Sequence, residues 1–121
     1  MARILVADNS SFMRSCLKYI VENAGHEVVG MAKDGGEAVE FYAKLKPDLV
    51  MLDILMEGMD GLAALAAIRK AHPAAKAIMV SALGQEEKQE EARKLGSSGY
   101  IRKPFKPDEI VHEVQRILGQ N

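Results

Sequence analysis

The chain has 121 residues, 48% of them hydrophobic, and a formal net charge of −1. That length suits one domain, expected over residues 1–121. The composition argues against disorder, and the near-neutral balance speaks against a sequence-blind nucleic-acid binder, which would be basic. The single cysteine, Cys16, excludes an internal disulfide and sits among apolar residues as a packing side chain. No run reaches the roughly 18 apolar residues of a membrane span. Asp8 interrupts the N-terminal apolar stretch before it can form a signal-peptide core. Reduced cysteine without an export signal points to the cytoplasm.

Short apolar runs alternate with longer amphipathic segments. Ile4–Ala7 is the first predicted strand and leads into Asp8-Asn9. Met13, Cys16, Leu17, Ile20, Val21 and Ala24 then recur at helical spacing, with Ser10 or Ser11 as cap and Gly25 as stop. Val28–Ala32 is the second strand, weakened by Gly30, and Lys33-Asp34 after it is turn chemistry. Asp34 and Glu37 resemble a capping box ahead of Ala38, Val39, Phe41 and Tyr42. Leu49–Leu52 is the third strand and delivers Asp53. Asp60 caps an Ala-rich helix from Gly61 to about His72, closed by Pro73. Ala77–Val80 is the fourth strand and ends at Ser81. The next helix, Glu86 to Leu95, has apolar residues almost only at Ala92 and Leu95, which predicts an exposed, weakly anchored element. Gly99–Ile101 is a short fifth strand followed by Lys103-Pro104. Pro107 opens the last helix, whose apolar face is Ile110, Val111, Val114, Ile117 and Leu118.

The order is β-α five times. Most strand runs are continuously apolar, as in a parallel sheet buried on both faces. Right-handed crossovers place helices on both sides, and the length excludes an eight-stranded barrel. An α/β, open, doubly wound sheet remains, with ligands expected beyond the carboxyl ends of its strands.

Four strands deliver polar groups to that edge: Asp8-Asn9, Asp53, Ser81 and Lys103. If the first and third strands are neighbours, Asp8 and Asp53 converge. Two carboxylates about 4 Å apart repel by roughly 4 kcal/mol at an effective dielectric near 20. Lys103 offsets one charge. A hard cation such as Mg2+ offsets two, and it favours one or two carboxylates plus waters and phosphate oxygens. A carboxylate beside a metal and a lysine is a plausible phosphoryl acceptor through an acyl phosphate. Singly, an Asp at a strand end is ordinarily a cap, Ser81 a turn residue and Lys103 a solvated cation. The chemical reading rests on their joint placement. His26, His72 and His112 share no ligand spacing and read as surface residues. Neither a phosphate-binding loop nor a dinucleotide fingerprint is present.

These pieces resemble the response regulator receiver family of two-component signalling. The resemblance lies in Ile4-Leu5-Val6-Ala7-Asp8, Asp53-Ile54-Leu55-Met56 with Met59-Asp60-Gly61, Ser81-Ala82, and Tyr100-Ile101-Arg102-Lys103-Pro104-Phe105, and it spans essentially the whole chain. It implies a flavodoxin-like (CheY-like) three-layer fold with strand order 2-1-3-4-5 and five helices. It implies that Asp53 accepts a phosphoryl group from a histidine kinase. Asp8, Asn9, Asp53 and the backbone carbonyl of Leu55 would hold Mg2+. Ser81 and Lys103 would bind phosphoryl oxygens, and small Ala82 would leave them accessible. Tyr100 would change rotamer as Ser81 moves, and Lys103-Pro104 would be a cis bond. The face made by the fourth helix, fifth strand and fifth helix would carry the output. The chain would catalyse only its own phosphorylation and dephosphorylation.

Two positions depart from the family's pattern. Asn9 replaces a second acid, which predicts weaker metal binding, and Glu57 replaces a common proline. The chain ends after the fifth helix, so output is expected through another protein. Ser10-Ser11-Phe12-Met13-Arg14 and Ser81-Ala82-Leu83-Gly84-Gln85 look most like CheY-type chemotaxis regulators, whose partner is the flagellar motor switch. A phosphorelay intermediate, a pseudo-receiver that is not phosphorylated and a small flavin carrier are the alternatives. A monomer is expected, with no nucleic acid or membrane partner.

Overall fold

The computed structural model describes residues 1–119. Its elements run β1 (Arg3–Ala7), α1 (Ser11–Asn23), β2 (Glu27–Ala32), α2 (Gly35–Leu45), β3 (Leu49–Leu52), α3 (Gly61–Ala71), β4 (Ala77–Ser81), α4 (Glu86–Lys94), β5 (Gly99–Arg102) and α5 (Pro107–Leu118). The five strands form one parallel sheet in the order β2-β1-β3-β4-β5, as the family resemblance implies.

Alternation along each strand builds two core layers. Leu5, Ala7, Val50, Leu52, Ala77 and Met79 face one way and meet Ala38 and Tyr42 of α2, Leu62, Leu65 and Ile68 of α3, and Ala92 of α4. Ile4, Val6, Leu49, Met51, Ile78 and Val80 face the other way and meet Leu17, Ile20 and Val21 of α1 and Ile110 and Val114 of α5. The central strands β1, β3 and β4 are buried on both faces, which explains their unbroken apolar runs. The edge strand β2 is only half buried, and Met31 is exposed. Its pairing with β1 slips by one residue at Val29, and Gly30 leaves the room that Leu45 fills.

The helix starts follow the predicted caps. Ser10 accepts from the Met13 amide, Asp34 from Glu37 and Asp60 from Ala63. The box at α2 differs in one bond, since Glu37 reaches back to the Lys33 amide and not to Asp34. One expectation is corrected. His26 is buried at 7% exposure, not a surface residue. Gly25 turns the chain with φ +93°, which tucks the imidazole under the N-terminus, where its Nδ1 accepts from the Ala2 amide at 3.1 Å. His72 is half-buried with its ring 4.9 Å from that of Tyr42, and His112 is exposed as expected. Among the described residues, no helix is long and apolar enough to cross a membrane.

Candidate functional site

The sheet's backbone ladder runs one residue past three strands, and this fixes where the polar groups stand. The Asp8 amide donates to Ala32 O at 3.1 Å, Asp53 to Ala7 O at 2.9 Å and Lys103 to Ser81 O at 2.8 Å. Each residue is held in register as if it were still part of its strand, while its side chain lies at the carboxyl edge. The Lys103-Pro104 peptide is cis.

Lys103 Nζ lies 2.7 Å from Asp8 Oδ2 and 3.4 Å from Asp53 Oδ2. Asp8 is 1% exposed, Asp53 4% and Ser81 0%. The sequence-derived convergence of Asp8, Asp53 and Lys103 is therefore present. Each carboxylate is steadied from its own backbone. Asp8 Oδ1 accepts from the Ser10 amide at 2.9 Å, and Asp53 Oδ1 from the Leu55 amide at 3.3 Å. Arg14 adds a 2.7 Å bond to the Asp8 carbonyl. Burial pushes the Asp53 carboxyl above the ordinary 3.8, and the Asp8 charge adds to that. Lys103 and the Leu55 amide pull the other way.

Ser81 Oγ accepts from the Leu83 amide at 3.1 Å. The Tyr100 hydroxyl donates to the Leu83 carbonyl. Burial raises the Tyr100 phenol above 10.0. Ser81, the start of the β4–α4 loop and Tyr100 thus form one connected unit. Ala82 is exposed beside it.

Asn9 is exposed and does not join the buried trio. It lines a cleft of about 300 Å³ with Leu55, Met56, Glu57, Leu83 and Lys88. A second cleft of about 240 Å³ joins Asn9 and Glu57 to Lys33 and Asp34. The two positions that depart from the family pattern thus share one rim of the site. Among the described residues, no three His, Cys, Asp or Glu side chains cluster as a metal cage. The donors at hand are oxygens: two buried carboxylates with unused lone pairs, beside a cleft lined by Asn9 and Leu55. That set fits a hard ion such as Mg2+, which retains waters and phosphate oxygens.

Gly61 is a structural requirement that motif reading alone did not explain. A β-carbon there would stand 1.9 Å from the Asp53 carbonyl oxygen. The start of α3 presses directly on the Asp53 backbone, and the Gly61 amide donates to Ile54 O at 2.8 Å.

Residues 4–115 match the model of the response regulator receiver domain. The chain belongs to the response regulator receiver family. It is 45% identical over 115 residues to the chemotaxis protein CheY of Thermotoga maritima, covering 95% of this chain and 96% of that protein. It is 40% identical over 117 residues to CheY of Bacillus subtilis, covering 97% and 98%. Among solved structures, the CheX–CheY–BeF3–Mg2+ complex from Borrelia burgdorferi superposes with a TM-score of 0.93 at 32% identity, covering 95% of this chain and 87% of that one. The response regulator domain of Thermotoga maritima CheB gives 0.91 at 37% identity, covering 98% and 97%. This receiver is therefore CheY-like in sequence and in fold.

Proposed function

We propose that this receiver takes a phosphoryl group onto Asp53 from the phosphohistidine of a histidine kinase and signals through its α4–β5–α5 face. The observation that carries the reading is the Lys103 ammonium bridging two buried carboxylates at one strand edge. An Asp53 oxygen attacks phosphorus, the P–N bond to the donor histidine breaks, and that imidazole nitrogen takes the electron pair. Asp8, Asn9, Asp53 and the Leu55 carbonyl would hold Mg2+, which when bound offsets negative charge on the transferred group. Lys103 moves its ammonium from Asp8 toward a phosphoryl oxygen, and the Ser81 hydroxyl donates to another. Apart from transferring and losing its own phosphoryl group the protein is not a classical enzyme.

Ser81, drawn toward the phosphoryl group, would pull on Leu83 through the bond it accepts from the Leu83 amide. Tyr100, bonded to the Leu83 carbonyl, registers that movement. α4 buries only Ala92, so its shift costs little packing. The readout is a shift between two populations. The CheY names of the relatives favour chemotaxis in the cytoplasm, with a protein target such as the flagellar motor switch.

The test is labelling with acetyl phosphate or a cognate kinase in the presence of Mg2+. Wild type is labelled and Asp53→Asn is not. Label retained in Asp53→Asn places the acceptor elsewhere.

A further inference from the structure

The loop between β4 and α4 is held from β5 at two points. Tyr100 and Arg102 lie two apart on β5 and so share a face, while Ile101 between them is buried in the opposite core layer. Tyr100 holds the Leu83 carbonyl. Arg102 lies across the next residue. A β-carbon on Gly84 would stand 2.3 Å from Arg102 Nε and 2.6 Å from its Cδ and Cζ. Gly84 does not have a positive φ. A side chain there would displace the arginine, while the backbone turn itself does not call for glycine. Gln89 closes the other side by donating to the Gly84 carbonyl at 3.2 Å. Arg102 is exposed and, among the described residues, forms no ion pair or side-chain hydrogen bond, so the loop is the neighbour its side chain lies against. Its charge is close enough to act on the Tyr100 phenol.

We propose that Arg102 is a positioning residue, a latch laid over Gly84 that holds the β4–α4 loop where Tyr100 engages Leu83. The latch sets how much of the loop is ordered before phosphorylation, and in that respect it rests on the switching role proposed for Ser81. α4 has one buried anchor, so a contact at its entry carries a large share of its local order. A flat guanidinium suits this place, because it covers a bare backbone that an ammonium on a round headgroup would touch at one point.

The experiment is amide hydrogen exchange on the full chain, read at Leu83, whose amide bonds Ser81, and at Lys88 and Gln89, whose amides bond Gln85 O. Wild type, Arg102→Ala, Arg102→Lys, Gly84→Ala and the Arg102→Ala/Gly84→Ala double variant are compared without ligand, with urea unfolding beside each. Arg102→Ala is expected to exchange roughly fivefold faster at these three amides, the factor for losing one modest contact, with the urea midpoint unchanged. Arg102→Lys recovers only part of the protection. The double variant exchanges no faster than the Arg102→Ala variant, since both changes break one contact. Unchanged exchange in Arg102→Ala, or fully additive effects in the double variant, overturns the latch. Adding Mg2+ and beryllofluoride then tests the switch separately. Amide shifts at 83–85 larger in Arg102→Ala than in wild type support the latch, and equal shifts overturn it. Absence of any shift in wild type removes the switching role instead, and the unliganded exchange still decides the latch.

Discussion

Lys103 donates to Asp8 at 2.7 Å across 95 positions of sequence, with the aspartate almost wholly buried and the lysine 17% exposed. The bond ties the end of the first strand to the segment after the fifth. It also keeps the ammonium within 3.4 Å of Asp53, so one cation is shared by two acids and offsets one of their two charges. Lys103→Met should destabilise the fold by about 2 kcal/mol at pH 7, because it leaves two buried carboxylates uncompensated. Urea unfolding measures this. A loss below a few tenths would mean that water or ions already screen the pair.

Asp53→Asn should do the opposite and stabilise the protein at pH 7. The folded pKa of Asp53 lies above 3.8, so folding disfavours its charged form. That penalty is fully present above the folded pKa and vanishes below 3.8. The gap between variant and wild type should therefore narrow as the pH falls from 7 toward 4. A gap that widens on acidification would contradict the direction of the shift.

Asn9 provides a neutral amide at the rim where Asp8 and Asp53 supply the charges. Asn9→Asp should tighten Mg2+ binding by roughly threefold to tenfold, an effect of one added carboxylate partly screened by solvent. Calorimetric titration of both proteins with MgCl2 measures the ratio. Equal affinities would show that the residue at position 9 does not face the ion.

Gly61→Ala should cost about 3 kcal/mol or more, because its β-carbon would overlap the Asp53 carbonyl and backbone must move. The same movement displaces the acceptor, so acetyl phosphate labelling should fall with stability. Full labelling in a destabilised Gly61→Ala variant would separate the two effects.

His26 is held neutral in the fold, its pKa lowered from 6.5 first by burial and then by the N-terminal charge. The unfolded chain takes up a proton near pH 6.5 that the folded chain resists, so stability is full above that pH and declines as the pH falls below it. His26→Gln should flatten this part of the pH profile. A profile identical to wild type between pH 7 and 5 would assign the loss to other groups.

Most of the fold was legible in the sequence because β1, β3 and β4 are buried on both faces and their apolar runs are unbroken. Caps at Ser10, Asp34 and Asp60 were legible for the same local reason: a side-chain oxygen needs only the amide three residues on. The strand order came from the family resemblance, since periodicity carries no information on which strands are neighbours. The convergence of Asp8, Asp53 and Lys103 followed once that order was granted. His26 was misread because its burial depends on a glycine turn and on the distant N-terminus, neither of which leaves a periodic mark. The roles of Gly61 and Gly84 escaped for a related reason. Each glycine answers to an atom from a different element, the Asp53 carbonyl in one case and the Arg102 side chain in the other, and such approaches are invisible along a single chain.

α4 is covered in charge and buries Ala92 alone. Six of its nine positions are exposed, and of these Gln89 bonds the loop before the helix. If α4 belongs to the output face proposed above, surface substitution there would change the listener while leaving Asp53 and the sheet in place.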